Sequence, residues 1–304
     1  MRSGSRHRLA CRMAELSVGC VMVTHNGARY LGEQLDSMIN QTRPLDEVVL
    51  VDDHSTDESV EMVASALTDT AALRIVGAPT LPRHAGLYTR IAQNFAAGMA
   101  AAGTDIVILA DQDDVWLSHR AAAHHAWFEA KPKCAMVAAD GSLIDAQSRP
   151  TGATLRDEYP VPEAWATLAH AERMRYALAH PIATGAASAV MPDRILGGGS
   201  VPQGWLHDRW YSLSAVANDQ MGVDPSVLVK YRTHGRQVVG MSGAADSSSP
   251  LRRSRRRLTQ PLLAMKKFVD LSGLAMDSEL GYRSSYMFPR SLGAALARGE
   301  SGEQ

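Results

Sequence analysis

The stretch DIVILADQDDVW (residues 105–116) joins an apolar run to three closely spaced carboxylates and a tryptophan. Residues 106–110 are all apolar, which is typical of a buried β-strand. Asp111, Asp113 and Asp114 follow at its carboxyl end, where their mutual repulsion is unfavourable unless a cation lies among them. The stretch therefore predicts a strand that ends at a charged site.

Short β-branched runs alternate with amphipathic segments on the N-terminal side of this stretch. We predict strands at 17–23, 47–51, 73–76 and 105–110. Between the strands, the spacing of apolar residues predicts a helix over 28–40 and another around Ile91, Phe95 and Met99. A third helix is predicted to follow a capping box of Ser55 and Glu58 and to end at Leu67. This alternation indicates βαβ units, and therefore an α/β fold with a Rossmann-like, mainly parallel sheet flanked by helices.

The pattern is less regular on the C-terminal side. We predict helices up to Ala130, over 163–179 and over 207–217, strands at 136–140 and 183–190, and a last strand or ordered arm over 227–235. Residues 16–240 are expected to form one domain, preceded by a basic disordered arm over 1–15 and followed by a linker over 241–250. Residues 251–304 are expected to form a basic helical tail, which is either solvated or rests on an anionic membrane surface.

Composition restricts the class of protein. The 304 residues are 45% hydrophobic and 21% charged, as in ordinary globular proteins, and the net charge of −1 excludes the overall basic field of a dedicated nucleic-acid binder. The three cysteines are widely spaced, so neither a disulfide framework nor a zinc knuckle is indicated. Because no apolar signal or membrane-spanning run occurs, we expect a cytoplasmic protein.

Polar residues follow three of the predicted strands: Thr24 to Asn26, then Asp52 and Asp53, then Asp111 to Asp114. Ligands bind at the carboxyl ends of strands in such sheets, so these groups are expected to share one crevice. Mg²⁺ or Mn²⁺ would relieve the repulsion, because these ions take carboxylate oxygens together with nucleotide phosphates. The alternative is that the acidic residues only stabilise the first turns of helices.

These motifs resemble those of the family-2 glycosyltransferases, which have the GT-A fold. The resemblance begins with VMVTHNGARYLGEQLDSMINQTRPLDEVVLVDDHSTDES (21–59) and continues through Arg90 and Asn94 to ADQDDVW (110–116). It extends through TGAASAV (184–190), HDRW (207–210) and YRTHG (231–235), and the acidic motif is closest to the rhamnosyltransferase-like branch of surface-polysaccharide biosynthesis.

The resemblance implies that the protein transfers a sugar, with inversion, from a nucleotide diphosphate donor to a hydroxyl of a glycan or polyprenyl-linked acceptor. It favours dTDP-rhamnose as the donor. It implies that Asp113 and Asp114 hold Mn²⁺ or Mg²⁺ on the diphosphate, with His234 as a third ligand or a phosphate contact. Asp208 is the candidate base, with a helix-terminal carboxylate as the alternative. The implied donor-binding residues are Thr24, Asn26, Asp52, Asp53, Arg90, Asn94, Asp111, Thr184 and Gly185.

Two other functions remain to be weighed. A sugar-1-phosphate nucleotidyltransferase also uses a metal and an α/β sheet, but it requires a glycine-rich basic loop after strand one, and THNGARYLGEQ offers one early glycine and one arginine. A binding module that has lost catalysis is the second, although every candidate catalytic carboxylate is present. Trp116 is expected to pack in the core, whereas Trp210 is either core or a sugar-stacking residue.

Overall fold

The computed structural model describes residues 15–82, 85–196 and 200–235. The strands are β1 (Val18–Thr24), β2 (Glu47–Asp52), β3 (Ala72–Gly77), β4 (Ile106–Ala110), β5 (Val115–Trp116), β6 (Met136–Ile144), β7 (Pro150–Thr154), β8 (Ser188–Val190) and β9 (Met221–Arg232). The helices are α1 (Ala28–Ile39), α2 (Ser59–Leu67), α3 (Leu87–Ala101), α4 (Arg120–Ala130), α5 (Leu155–Glu158), α6 (His170–Ala179), α7 (Pro192–Ile195) and α8 (His207–Ala217), with 3₁₀ turns at Trp165–Thr167 and Gly185–Ala187.

Within these residues the strands form one sheet in the order β3-β2-β1-β4-β8-β6-β9-β5, with β7 paired to β6. The first four strands are parallel, as predicted. Their register sets Thr24 beside Asp52 and Met22 beside Ala110. The polar segments after β1, β2 and β4 therefore emerge together at one edge of the sheet.

The second half of the sheet is mixed rather than parallel. β8 runs antiparallel to both β4 and β6, whereas β9 runs parallel to β6 and antiparallel to β5. Antiparallel neighbours need no helical crossover, which allows short strands such as β5 and β8 to join the sheet. The predicted strand over 183–190 is accordingly split into a 3₁₀ turn and the three-residue β8.

Helices cover both faces of the sheet. Alternate residues of a strand point to opposite faces, so Cys20 and Met22 pack in a cluster with α1 and α2, while Val21 packs in a second cluster with α3 and α8. Apolar side chains of the helices complete each cluster, among them Leu31 and Leu35 on one face. β1, β2 and β4 are thus buried on both faces, as their continuous apolar runs require.

Several local expectations are settled by the structure. The capping box of Ser55 and Glu58 is not formed, because α2 begins at Ser59 with Glu58 making no side-chain cap. Trp116 is buried in the core as predicted, and Trp210 is buried against Trp205 rather than exposed.

Among the described helices, none has the length and apolarity needed to cross a bilayer. The expectations for 1–14 and for the linker and tail over 241–304 lie outside the described residues.

Candidate functional site

A cleft of about 670 Å³ opens at the carboxyl ends of β1, β2 and β4, which is a volume typical of small-ligand sites. Most of the predicted site residues line it: Asp53, Arg90, Asn94, Asp111, Asp113, Thr184, Gly185, Asp208 and His234. Four others, Thr24, Asn26, Asp52 and Asp114, are not among the residues that line it. The sequence positions of these groups span almost the whole described chain, so only the fold brings them together.

The loop after β1 is fixed by side chains rather than by regular structure. Gln112 accepts hydrogen bonds from the Thr24 hydroxyl and from the His25 backbone N–H, both at 2.8 Å. Asn26 adopts a positive φ of 50° and accepts from the Thr56 backbone N–H at 2.8 Å through its side-chain oxygen. Thr24 and Asn26 therefore join the loops after β1, β2 and β4.

The carboxylates after β2 have different partners. Asp52 accepts from the Ser55 backbone N–H and closes the turn that follows the strand. Asp53 forms a 2.7 Å ion pair with Arg90, which projects from the first turns of α3. The aspartate is largely covered while Arg90 is about half exposed, so this pair forms one polar side of the cleft.

Asn94 lies one turn further along α3 and is 2% exposed. Its side-chain nitrogen is buried and makes no hydrogen bond within the described part of the chain. A buried donor without a partner costs roughly 1–3 kcal/mol, so native structures normally supply one. Because Asn94 also lines the cleft, a ligand acceptor group is the natural partner for this donor.

The acidic loop after β4 divides its charges between the cleft and the interior. Burial, and then the charges of Asp113 and Asp208, raise the pKa of Asp111 to about 7, while Arg120 acts against the rise. Asp114 is 1% exposed and accepts the Arg232 backbone N–H at 2.9 Å, and burial raises its pKa well above the usual value. Its carboxylate is therefore turned away from the cleft.

A buried cation lies beneath this loop. Arg120 is fully buried, donates to the Leu109 carbonyl at 3.2 Å and lies over the Trp116 ring at 4.4 Å. Its positive charge acts against the rise in the pKa of Asp111 and of Asp114. Burial lowers the pKa of Arg120 itself to about 10. Arg120 is thus a resident counter-charge for the acidic loop, and nothing in its surface-like sequence context predicts it.

Asp113 faces the cleft and lies 2.8 Å from the Nε2 atom of His234. Across residues 15–82, 85–196 and 200–235, no three His, Cys, Asp or Glu side chains are arranged to hold a metal. The pair nevertheless suits Mn²⁺ or Mg²⁺, which commonly take one or two carboxylates and leave other positions for phosphates and water. Asp113 and His234 are therefore the protein groups that fit a metal here.

Asp208 lies in the first turn of α8, and its charge acts on Asp111, as does that of Asp113. It accepts from the Gly185 backbone N–H at 3.0 Å and from the Arg209 backbone N–H at 2.6 Å. The contact between Gly185 and Asp208 depends on the absence of a side chain at Gly185, because a β-carbon there would lie 2.7 Å from the buried His207 ring. Both carboxylate oxygens are oriented by backbone donors at the cleft wall.

The comparison with known families agrees with this geometry. Residues 20–160 match the model of glycosyl transferase family 2. An uncharacterized glycosyltransferase of Nostoc sp. is 33% identical over 105 residues, which cover 34% of this chain and 30% of that protein. The aligned region thus spans less than a third of the relative. Within this part, which is less than half of the chain, the sequence is thus similar to glycosyl transferase family 2.

Solved structures share the fold at low identity. TarS of S. aureus (residues 1–349), solved in complex with UDP-GlcNAc, superposes with a TM-score of 0.60 at 15% identity over 93% of this chain and 73% of that one. The mannosyltransferase PcManGT of Pyrobaculum calidifontis, in complex with GDP-Man and Mn²⁺, gives a TM-score of 0.50 at 19% identity over 96% and 77%. The predicted GT-A fold is confirmed by these likenesses.

Proposed function

We propose that this chain is an inverting family-2 glycosyltransferase that moves a sugar from a nucleoside diphosphate donor to an acceptor hydroxyl. The observation that carries the proposal is one cleft lined by the Asp53–Arg90 pair, the Asp113–His234 pair and Asp208. The match of residues 20–160 to glycosyl transferase family 2 supports the same reaction class.

The donor is proposed to lie along the ends of β1, β2 and β4. Asp53 and Arg90 contact the base, Asp111 lies near the ribose, and the unpartnered amide of Asn94 donates to the nucleotide. Thr24, Asn26 and Asp52 act indirectly by fixing the loops that contact it. Our best candidate donor is dTDP-rhamnose. The named complexes of TarS and PcManGT make UDP-GlcNAc and GDP-Man the donors to test beside it.

Asp113 and His234 are proposed to hold Mn²⁺ or Mg²⁺ on the diphosphate, with Asp113 the direct carboxylate ligand. Asp114 is less suited, because one of its oxygens accepts from Arg232 and the other is buried. A divalent ion acts as a Lewis acid on the leaving diphosphate. The chain's own part is to fix two ligands and to leave the remaining positions to the donor.

Asp208 is proposed as the general base. The Gly185 and Arg209 backbone N–H groups orient its carboxylate, and each oxygen keeps a lone pair for an acceptor proton. Thr184 and Gly185 form the turn that holds Asp208 against the cleft. The acceptor is proposed to be a glycan or a polyprenyl-linked sugar, and any membrane contact is proposed for the tail over 251–304.

The first test is nucleotide-dependent stabilisation. We expect one nucleoside diphosphate to raise the melting temperature of the full chain with Mn²⁺ and to lose most of that effect with EDTA, through mass action on the folded state. Equal stabilisation by every nucleotide, or no dependence on the metal, would contradict the model. Release of pyrophosphate from a nucleoside triphosphate and a sugar 1-phosphate would instead establish a nucleotidyltransferase.

The second test is the base. Asp208→Asn keeps the shape of the side chain and one backbone contact, so we expect an unchanged fold but a fall in transfer of roughly 10²- to 10⁴-fold. Asp193→Asn is the matched control, because this carboxylate is exposed in the first turn of α7. Unchanged transfer by Asp208→Asn would remove the base assignment. Nucleotide-sugar binding without hydrolysis or transfer would favour a binding module.

A further inference from the structure

An apolar wall lines the cleft next to Asp208 and has no role in the donor site described above. It consists of Leu155, Tyr159, Pro181 and Leu206, which we call the apolar wall. Tyr159 and Leu206 are partly exposed and Pro181 is exposed, so these surfaces are available to a ligand. The donor-side pairs, Asp53–Arg90 and Asp113–His234, are polar by contrast.

The wall is held in place by the short helix α5. The Thr154 hydroxyl and the Asp157 carboxylate form a capping box that fixes its first turn. Leu155 is buried beneath it, and the Tyr159 backbone N–H donates to the Leu155 carbonyl at 2.8 Å. The position of Tyr159 at the cleft is therefore set by local structure.

Arg156 joins the two parts of the wall. Its guanidinium donates to the carbonyl of Ile182, next to Pro181, and to those of Ala138 and Ala139 on β6, at 3.1 to 3.2 Å. The side chain is mostly buried, so these bonds are screened from water. Arg156 thus links α5, which precedes Tyr159, to β6 and to the residue after Pro181.

The chemistry next to Asp208 favours a neutral ligand. Tyr159 lies within electrostatic reach of Asp208, and both side chains line the same cleft. Arg209, the adjacent cation, donates at 2.6 and 3.0 Å to the carbonyls of His180 and Leu178. Because that cation is engaged by the fold while Asp208 is acidic, an anionic group would be poorly accommodated here.

We propose that the apolar wall is the acceptor subsite and that it stacks a neutral pyranose ring on Tyr159, with one sugar hydroxyl directed at Asp208. A sugar ring has an apolar C–H face and a polar rim, which matches an aromatic ring beside a carboxylate. This inference rests on the proposed function, and it names the acceptor class of the same cleft.

The transfer step is balanced at this position. The acceptor hydroxyl gives its proton to the Asp208 carboxylate as its oxygen forms a bond to the anomeric carbon of the donor. The bond from that carbon to the diphosphate oxygen breaks, and the nucleoside diphosphate leaves with the electron pair. Tyr159 takes no part in the proton transfer, so it is a binding residue.

The test uses the full chain, its donor, Mn²⁺ and a panel of p-nitrophenyl pyranosides, with p-nitrophenyl glucuronide as the anionic member. We expect Tyr159→Ala to raise the KM of the best neutral pyranoside roughly tenfold, and Tyr159→Phe to retain most of the affinity, because the ring supplies the contact. The donor KM and donor hydrolysis should stay near the wild-type values. Tyr88→Ala, which removes an exposed tyrosine beside Arg90, should leave the acceptor KM unchanged.

Four results would overturn the apolar wall as acceptor subsite. They are an unchanged acceptor KM in Tyr159→Ala, an equal change in Tyr88→Ala, turnover of the glucuronide but of no neutral pyranoside, and donor turnover into water alone with every glycoside. Failure of the proposed function is distinguishable, because the wild-type chain would then show neither Mn²⁺-dependent nucleotide stabilisation nor any donor turnover.

Discussion

Replacing Arg232 tests whether one buried cation organises the metal-fitting pair. Arg232 is fully buried at the end of β9, two residues before His234. Its side chain donates to the Asp113 carbonyl at 2.6 Å, to the Ser148 hydroxyl at 2.8 Å and to Glu33 at 3.1 Å. It therefore ties the acidic loop to the segment that carries His234.

The size of the effect follows from what each partner loses. Arg232→Met keeps the length of the stem but removes the charge and three donor groups. Hydrogen bonds to charged groups contribute about 1.5–3 kcal/mol, and removing one member of a buried pair costs about 3–5 kcal/mol. Glu33 keeps 53% of its side chain exposed and is rehydrated, which lowers the net loss. We expect the free energy of unfolding to fall by about 2–3 kcal/mol.

The metal should respond as well as the stability. The Tyr30 ring lies 4.7 Å from the Arg232 guanidinium and 4.9 Å from the His234 ring, so the three groups pack as one unit. Groups that orient metal ligands commonly change metal affinity by about 10- to 100-fold when they are replaced. We expect Arg232→Met to raise, by at least about tenfold, the Mn²⁺ concentration at which a nucleoside diphosphate half-maximally stabilises the chain.

Urea unfolding and a Mn²⁺ titration of the melting temperature are the two measurements. Arg149→Met is the matched control: this arginine pairs with Asp145 at 2.7 Å but is 73% exposed, so its loss should change stability by less than about 0.5 kcal/mol. Arg232→Lys should recover only part of the effect, because an ammonium cannot serve three separated acceptors. A Mn²⁺ titration identical to wild type, measured on a folded Arg232→Met chain, would refute the positioning role.

Two further predictions concern buried contacts. Burial, and then the charge of Arg120, hold the pKa of His124 well below its usual 6.5, so the unfolded chain takes up a proton that the native state does not. Stability should therefore fall as the pH drops below about 6.5, by up to ~1.4 kcal/mol per pH unit for this group, and urea unfolding of His124→Leu should show a flatter dependence. A β-carbon on Gly27 would lie 2.7 Å from Cδ of Gln112, so Gly27→Ala should destabilise the chain by about 1–3 kcal/mol. Gly32→Ala is the control, because a β-carbon on Gly32 would have its nearest neighbour at 4.0 Å and should not destabilise the chain. Equal melting temperatures of the two variants would contradict this prediction.

Hydrophobic periodicity was sufficient to predict the first half of the fold. β1, β2, β3 and β4 begin and end within about one residue of their predicted bounds. β1, β2 and β4 are buried parallel strands marked by their own apolar runs, and the largely exposed β3 is marked by the short run LRIV. The two-residue β5 and the exposed β7 have no such signal. β5 exists because Val115 pairs with Lys230, and a contact across that separation has no local trace in the sequence.

The sequence predicted which residues belong to the candidate site better than it predicted how their side chains are arranged. The rule that ligands bind at strand ends located Asp53 and Asp113 in one cleft, since it depends only on strand direction. The same rule treated Asp114 like Asp113, although Asp114 turns inward to the backbone of β9. Adjacent residues point in different directions, and which of them faces the cleft depends on the partner strand.

The acidic loop also shows why repulsion between carboxylates is a weaker argument for a metal than it first seems. Arg120 beneath the loop acts against the rise in the pKa of Asp111 and Asp114, and the Arg232 backbone N–H does the same for Asp114, so the fold supplies part of the counter-charge itself. Asp113, with His234 at 2.8 Å, is the carboxylate left to face a ligand ion. We infer that the geometry of the Asp113–His234 pair is set before a donor binds, so a metal would add its charge to an organised cleft.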